Sequence, residues 1–400
     1  MYAVKKIRQL LTGALIVCMM CTIEEDSLML RKFSVKNFKN FNKEVVLQLD
    51  QPANYEFNRE IVRNNCITKG IVYGINGSGK SNLALAIFDV ILHLTDKERA
   101  LDRYQLYQNL ASGKKEVEFE YVFEFDGKEV VYRYAKTAPL TLVYESVLID
   151  TIEVLHYDYL QNYGFSKLLG TENLKLSSPS LTGANQLSRV KFVKSNALLS
   201  DTPENRAFRS FVDFVDNMLM FYSLTQNRYQ GFDVGVESFT RGIINSGKMK
   251  DFEKFLRDQG IEYTLVSLDL NGQSELFCQF PDVPPVPFGT IASTGTLSLA
   301  LFYYWYIRME KASFVYIDEY DAFYHFELAQ ELVKLVKQLR NTQVLLSTHN
   351  TDLISNDLLR PDAYYQIKDN DIRSFDKLSN KELRRAHNIQ KMYKAGEFDE

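Results

Sequence analysis

Cysteine is scarce. The four residues in 400 (Cys18, Cys21, Cys66, Cys278) are too few for a disulfide framework and suit a reducing compartment. Cys18-x-x-Cys21 has no second ligand pair nearby, so the usual zinc spacing is not met. Excess charge of one sign is missing as well. The net charge is −4, so a nucleic-acid role would need a local basic patch rather than bulk charge. No internal repeat, low-complexity tract or coiled-coil heptad series is present, and no serine or cysteine triad or cluster of metal ligands stands out. The apolar run Leu10–Ile23 is interrupted by Thr12, Gly13 and Thr22. It falls short of the roughly 20 residues needed to span a bilayer. What remains is ordinary for a soluble globular chain, at 46% hydrophobic and 24% charged. Its length can support two or three lobes.

Residues 1–28 stand apart. Lys5, Lys6 and Arg8 precede the apolar run, a layout like the charged and apolar regions of a signal peptide. Two readings stay open: an over-extended start, with translation beginning at Met29, or a membrane-tethered or lipid-associated N-terminus. The first is favoured, which implies a cytoplasmic protein with no stable membrane association.

Residues 70–81 read GIVYGINGSGKS. Gly74, Gly79, Lys80 and Ser81 fit the pattern G-x-x-x-x-G-K-[ST]. Ile71-Val72-Tyr73 ahead of it reads as a buried strand. Apolar positions from Leu83 to Leu94 follow a helical period over 82–94. A strand, a glycine loop and a helix start aim backbone N–H groups at one point, which suits a phosphate. Asn76, Gly77, Ser78 and Asn82 complete the loop. Lys80 would reach the β- and γ-phosphates, and the Ser81 hydroxyl would sit on Mg²⁺.

Alternation over 29–50 predicts two strands joined near Asn40–Asn42, and EVEFEYVFEFDGKEVVYRY (116–134) predicts a hairpin turning at Asp126-Gly127. Strand-like sequence continues to about Leu155. Residues 156–290 are expected to form an inserted helical/β lobe, mostly helical over 156–260, then a hairpin over 262–280 turning at Asn271-Gly272 and a proline-stiffened loop (Pro281, Pro284, Pro285, Pro287). The expected units are therefore 1–28, 29–155 (first half of the ATPase lobe), 156–290, 291–376 (second half) and a helical tail, 377–400.

Three features lie in the second half. FVYIDE (314–319) is an apolar strand ending in two acids. Asp318 at its tip would hold Mg²⁺, and Glu319 would act as general base toward the attacking water. LLSTHN (345–350) ends the next strand, which places His349 toward the γ-phosphate. IASTGTLSLALFYYW (291–305) puts Ser293 and Gly295 before a helix. That is a second ready phosphate site, suited to nucleotide held by a neighbouring subunit.

This order of motifs resembles the ATP-binding-cassette ATPase heads of the SMC, RecF and OLD families. GINGSGKS is similar to their Walker A motif, FVYIDE to Walker B, STGT to a degenerate signature and LLSTHN to the switch-histidine loop. The tail LRRAHNIQKMYKAGEF (383–398) resembles stand-alone proteins of the abortive-infection AbiL/RloA-like group. The resemblance implies an α/β P-loop NTPase of ABC type, with a mixed sheet core, an antiparallel β subdomain and an inserted mainly helical lobe. It implies ATP and Mg²⁺ as cofactors, catalytic roles for Lys80, Glu319 and His349, and a homodimer sandwiching ATP. In that dimer Ser293 and Gly295 would contact the partner's nucleotide, and Asp321 would lie in the loop crossing the interface. Gln105 and Gln108 are the candidates for a glutamine loop. It further implies a separate effector, such as a nuclease, under its control in phage defence. A DNA-maintenance role and a non-hydrolysing scaffold are the alternatives. Lys381, Arg384, Arg385, His387, Lys391 and Lys394 are expected on one tail helix, with Lys391 and Lys394 offering phosphate contacts if DNA binds.

Overall fold

The computed structural model describes residues 29–97, 101–177, 186–222, 228–231, 238–270, 272–322 and 326–398. Residues 1–28, with both readings of the N-terminus and Cys18-x-x-Cys21, lie outside the described residues, as does Asn271.

The strands in chain order are β1 (Met29–Lys36), β2 (Val45–Gln48), β3 (Val62–Arg63), β4 (Cys66–Ile67) and β5 (Lys69–Tyr73). The phosphate-loop region and first hairpins follow as helices α1 (Lys80–Ile87) and α2 (Ile91–Leu94), then β6 (Val117–Phe125), β7 (Lys128–Ala138), β8 (Thr141–Ile149), β9 (Ile152–Asp158) and β10 (Tyr163–Ser166). Next come α3 (Arg189–Asn196), α4 (Pro203–Asp216), β11 (Leu219–Tyr222), β12 (Arg228–Gly231), α5 (Phe239–Asn245) and α6 (Met249–Asp258). Strands β13 (Thr264–Leu270), β14 (Gln273–Phe280) and β15 (Val283–Pro287) precede α7 (Phe288–Ile291) and α8 (Thr294–Met309). The chain closes with β16 (Phe314–Asp318), α9 (Phe326–Lys337), β17 (Gln343–Thr348), β18 (Tyr364–Lys368), β19 (Asp371–Ser374), α10 (Phe375–Leu378) and α11 (Ile389–Lys394).

Two seven-stranded sheets organise the molecule. The first runs β10-β9-β8-β7-β6-β1-β2 and is antiparallel throughout. Its hairpin turns at Asp126 (φ 53°) and Gly127 (φ 73°), the left-handed pair that a two-residue turn needs. Strict alternation in VEFEYVFEF buries every second residue. That inner face packs on α4. The helix begins at Pro203 behind a Thr202 cap, whose hydroxyl accepts from the Asn205 N–H. Its rings dock on the sheet, with Phe211 and Phe214 lying 5.4 and 5.2 Å from Phe123.

The second sheet runs β12-β11-β16-β17-β5-β18-β19, and β11, β16, β17, β5 and β18 are mutually parallel. Strands β5, β16 and β17 are buried along their whole length. The reason is that they are covered on both faces, as parallel strands are. Val72, Tyr316 and Leu345 join one core, while Ile71, Ile317 and Leu346 join the other. Gln343 clasps the start of the chain: its Oε1 accepts from the Leu30 N–H at 2.7 Å and its Nε2 donates to the Leu30 carbonyl at 2.9 Å.

Three sequence expectations are corrected. The stretch 156–260 is not wholly an inserted helical lobe: Leu219–Tyr222 is a buried strand of the central sheet, paired with the acidic strand β16. The hairpin expected over 262–280 is present as β13 and β14, and β15 adds a third antiparallel strand in place of the expected proline loop. The helix expected over 82–94 breaks after Ile87, where Asp89 turns into the core. The tail helix is only Ile389–Lys394. Before it, the Asn356 amide donates to the carbonyls of Arg384, Arg385 and His387, which occupies groups a helix would have used. The tail charges are also largely paired, Lys381 with Glu397, Arg384 with Glu382 and Lys394 with Asp352. No helix among the described residues is long and apolar enough to cross a membrane.

Candidate nucleotide site

The loop after β5 is held by what surrounds it. Gly79 caps α1 at φ 114°, a conformation side chains rarely adopt. A Cβ there would also lie 2.6 Å from the Asn40 amide and 2.8 Å from the Phe41 ring. Asn40 comes from the turn between β1 and β2. It donates to the Ser78 carbonyl at 3.2 Å and accepts from the Asn82 amide at 2.6 Å. The far end of the antiparallel sheet therefore braces the loop from outside. On the other flank, a side chain at Gly74 would collide with the Ser78 hydroxyl and Ile367. The Ser78 oxygen is itself buried without a hydrogen-bond partner among the described residues.

Residues distant in the chain meet over this loop. A cleft of about 430 Å³ is lined by Asn76, Gly77 and residues 79–82 together with Glu319 and His349. Lys80 is only 4% exposed. Its Nζ donates to the Gly74 carbonyl at 2.9 Å and lies 3.4 Å from Glu319 Oε1. Glu319 Oε2 in turn is 3.1 Å from His349 Nδ1. Glu319 sits at φ 50°, a left-handed conformation that costs a non-glycine residue energy and is found at functional positions. Its carboxylate faces the loop across the cleft.

Asp318 lies one step earlier and deeper. Ser347 Oγ donates to its Oδ1 at 2.7 Å, and the Ser81 hydroxyl also bonds to it. Burial pushes its pKa up, while those two hydroxyls pull it back down. Ser81 and Asp318, both expected at Mg²⁺, thus already touch. Hard oxygen donors of this kind fit a Mg²⁺ ion.

Two neighbours escaped sequence reading. Ser347 is fully buried and bonds both acids, since its Oγ also accepts from the Glu319 N–H at 2.9 Å. A hydroxyl inside the apolar run of LLST was the available signal. Arg103 stacks its guanidinium 3.8 Å above the Tyr222 ring, and Tyr222 is the register partner of Asp318. Its charge opposes the burial-driven rise of the Asp318 pKa. Nothing in its sequence context marks it.

Other expected residues lie elsewhere. The Gln108 amide donates to the carbonyls of Lys115 and Thr137, tying it into the antiparallel sheet, and neither it nor the exposed Gln105 lines the cleft. Ser293 caps α8, accepting from the Thr296 N–H at 3.1 Å. Ser293 and Gly295 are exposed and also lie outside the cleft. Asp321 is 9% exposed, and its Oδ1 has no hydrogen-bond partner among the described residues.

A family model described as "AAA domain, putative AbiEii toxin, Type IV TA system" matches residues 71–355. No curated protein matches the chain. Solved structures similar to it include an Smc head domain from Pyrococcus furiosus bound to the C-terminal domain of ScpA. It has 14% identity and a TM-score of 0.45, over 88% of this chain and 97% of that one. The SMC head domain from Thermotoga maritima has 14% identity and a TM-score of 0.38, over 86% and 97%. The recombination mediator protein RecF has 12% identity and a TM-score of 0.37, over 87% and 98%.

Proposed function

Because the chain belongs to this AAA-domain family, we propose that it is an ATP-hydrolysing switch of ABC type that closes as a dimer on ATP and thereby controls a separate effector in phage defence. The observation that carries the ATPase reading is the single cleft where Lys80, Ser81, Glu319 and His349 meet above Asp318.

The side chains suggest a sequence of events. In the structure Lys80 is folded back on the Gly74 carbonyl and Glu319. A triphosphate offers Lys80 a better partner than one carbonyl, and the loop N–H groups face the same point. Once Lys80 moves to the phosphates, Glu319 keeps its hold on His349 and is free to accept a proton from water. Ser81 and Asp318 would hold Mg²⁺, which supplies charge neutralisation on the phosphates. Ser347 ties the Asp318 carboxylate to the Glu319 backbone N–H through one hydroxyl, so the end of β16 is held in place beneath the loop.

The dimer reading rests on α8. Gly295 has an ordinary backbone, and a Cβ there would meet nothing closer than the Ser293 hydroxyl at 3.8 Å. This chain's own packing does not require glycine at that position. A phosphate approaching from a second copy would. The family's toxin–antitoxin description and the tail's resemblance to abortive-infection proteins support an effector partner. An intact Glu319 in the cleft favours turnover over a scaffold that binds ATP only for assembly.

Glu319→Gln tests the reading. Steady-state turnover should fall by about 100-fold or more while ATP still binds, and light scattering should show an ATP-dependent dimer that persists. Normal turnover in this variant would remove Glu319 from the mechanism.

A further inference from the structure

The first residues of β5 and β17 lie at the opposite end of the central sheet from the phosphate loop. Beside them runs a groove of about 770 Å³. Its walls carry Arg63, Lys334, Lys337 and Arg340 against one carboxylate, Glu60, in a chain whose net charge is −4. Part of this positive charge is neutralised. Lys337 pairs with Glu60 at 2.7 Å and donates to Asn58 Oδ1 and the Leu358 carbonyl. Lys334 pairs with Glu331 on the surface, a contact worth little in water.

Arg63 and Arg340 are different. Arg63 Nη1 donates to neutral oxygens, the Arg340 carbonyl at 2.9 Å and Asn341 Oδ1 at 2.8 Å. Among the described residues neither arginine has a carboxylate partner. Beneath them Lys69 is 3% exposed and gives its Nζ to the Thr342 carbonyl at 2.6 Å. It too lacks a carboxylate partner among the described residues. Burial, with the Arg63 charge added, brings the Lys69 pKa down to about 7. Two arginines from separate segments, Arg63 and Arg340, therefore line one groove without a carboxylate partner among the described residues, above a buried lysine. Such a guanidinium pair is favourable around an anion.

We propose that this corner is a second phosphate-binding site, separate from the ATP cleft, with Arg63 and Arg340 as its contact residues and the buried Lys69 amine below them. The phosphate comes either from a soluble phosphorylated ligand or from a nucleic-acid backbone. The groove is larger than the ATP cleft, so both sources can be accommodated.

The test uses the full chain with its ATP cleft filled by a non-hydrolysable ATP analogue. Inorganic pyrophosphate and a short labelled DNA strand are titrated separately into the wild type, Arg63→Gln/Arg340→Gln and Arg340→Gln alone. The single change is at an exposed position, which keeps the experiment informative if the double variant misfolds. The expected result is a Kd raised about tenfold or more by the double change and about threefold by the single one for at least one probe. Affinity for the ATP analogue should not change. A response to pyrophosphate assigns a soluble ligand. A response to DNA alone, with the salt slope reduced by about 1–2, assigns a nucleic-acid backbone. If neither probe binds the wild type, or if both variants bind as the wild type does, the proposal is overturned.

Discussion

Two lysine–carboxylate pairs, one in each half of the molecule, are built for opposite purposes. In the antiparallel half, Lys136 and Asp89 are both fully buried and 2.5 Å apart. Asp89 also accepts from the hydroxyls of Tyr107 at 2.8 Å and Tyr134 at 3.0 Å. Burial still pushes the Asp89 pKa up, but Lys136 and the two tyrosines oppose that shift. In the parallel half, Lys80 and Glu319 are 3.4 Å apart, and Glu319 faces the cleft at 14% exposure. Its backbone is strained and its second oxygen is on an exposed histidine. A buried charge pair is stable only when its remaining hydrogen bonds are filled. The first pair meets that condition permanently. The second opens onto the cleft on its Glu319 side, so under the proposed function Lys80 can exchange its carbonyl partners for phosphate.

Removing one member of each pair should separate the two roles. Lys136→Met strands a buried carboxylate and should cost about 3–5 kcal/mol in urea unfolding. Adding Asp89→Leu should recover most of that loss. Nucleotide affinity of the folded fraction should stay unchanged. Lys80→Ala should do the reverse. ATP turnover should fall by about 1,000-fold, roughly 4 kcal/mol in activation free energy, with stability in urea kept within about 1 kcal/mol. Equal stability losses in the two lysine variants would abolish the distinction.

Smaller changes sharpen it. Ser347→Ala removes the hydroxyl shared by Asp318 and Glu319 and should lower kcat/KM for ATP about tenfold. A drop in stability without that kinetic loss would make Ser347 merely structural. Asp318→Asn probes the electrostatic cost of the site itself. The folded pKa of Asp318 lies above its ordinary value of 3.8, chiefly through burial. The folded state therefore binds the proton more tightly than the unfolded chain does. Stability is lost as pH rises from the unfolded pKa toward the folded one, and the loss persists above it. The variant should melt at a higher temperature than the metal-free wild type at neutral pH. That advantage should vanish once the pH drops below about 3.8. Thermal scans across this range, with and without Mg²⁺, check the sign.

What could be read from sequence follows from which interactions are local. The Asp126-Gly127 hairpin was legible because turn chemistry and alternation both act between near neighbours. Strands β5, β16 and β17 were legible as apolar runs carrying glycine, acid and histidine at their ends. The place of β11 was not, since four apolar residues after an amphipathic helix say nothing about which strand they will pair with. Asp89 was hidden for the same reason: its partners Tyr107, Tyr134 and Lys136 come from separate elements, and the helical period around it was sound. The tail was misread because the Asn356 side chain satisfies its carbonyls from outside. Within the site, motif positions were recoverable, whereas Arg103 and Asn40 act through contacts that only the folded chain creates.

The clasp between Leu30 and Gln343 joins the first described strand to one of the last parts of the central sheet. During translation, the phosphate loop leaves the ribosome long before β16 and β17 exist. A nascent or prematurely terminated chain can display Lys80 but has no Glu319 or His349 to set against it. Under the proposed function, fragments ending before β16 should therefore be inert rather than partially active.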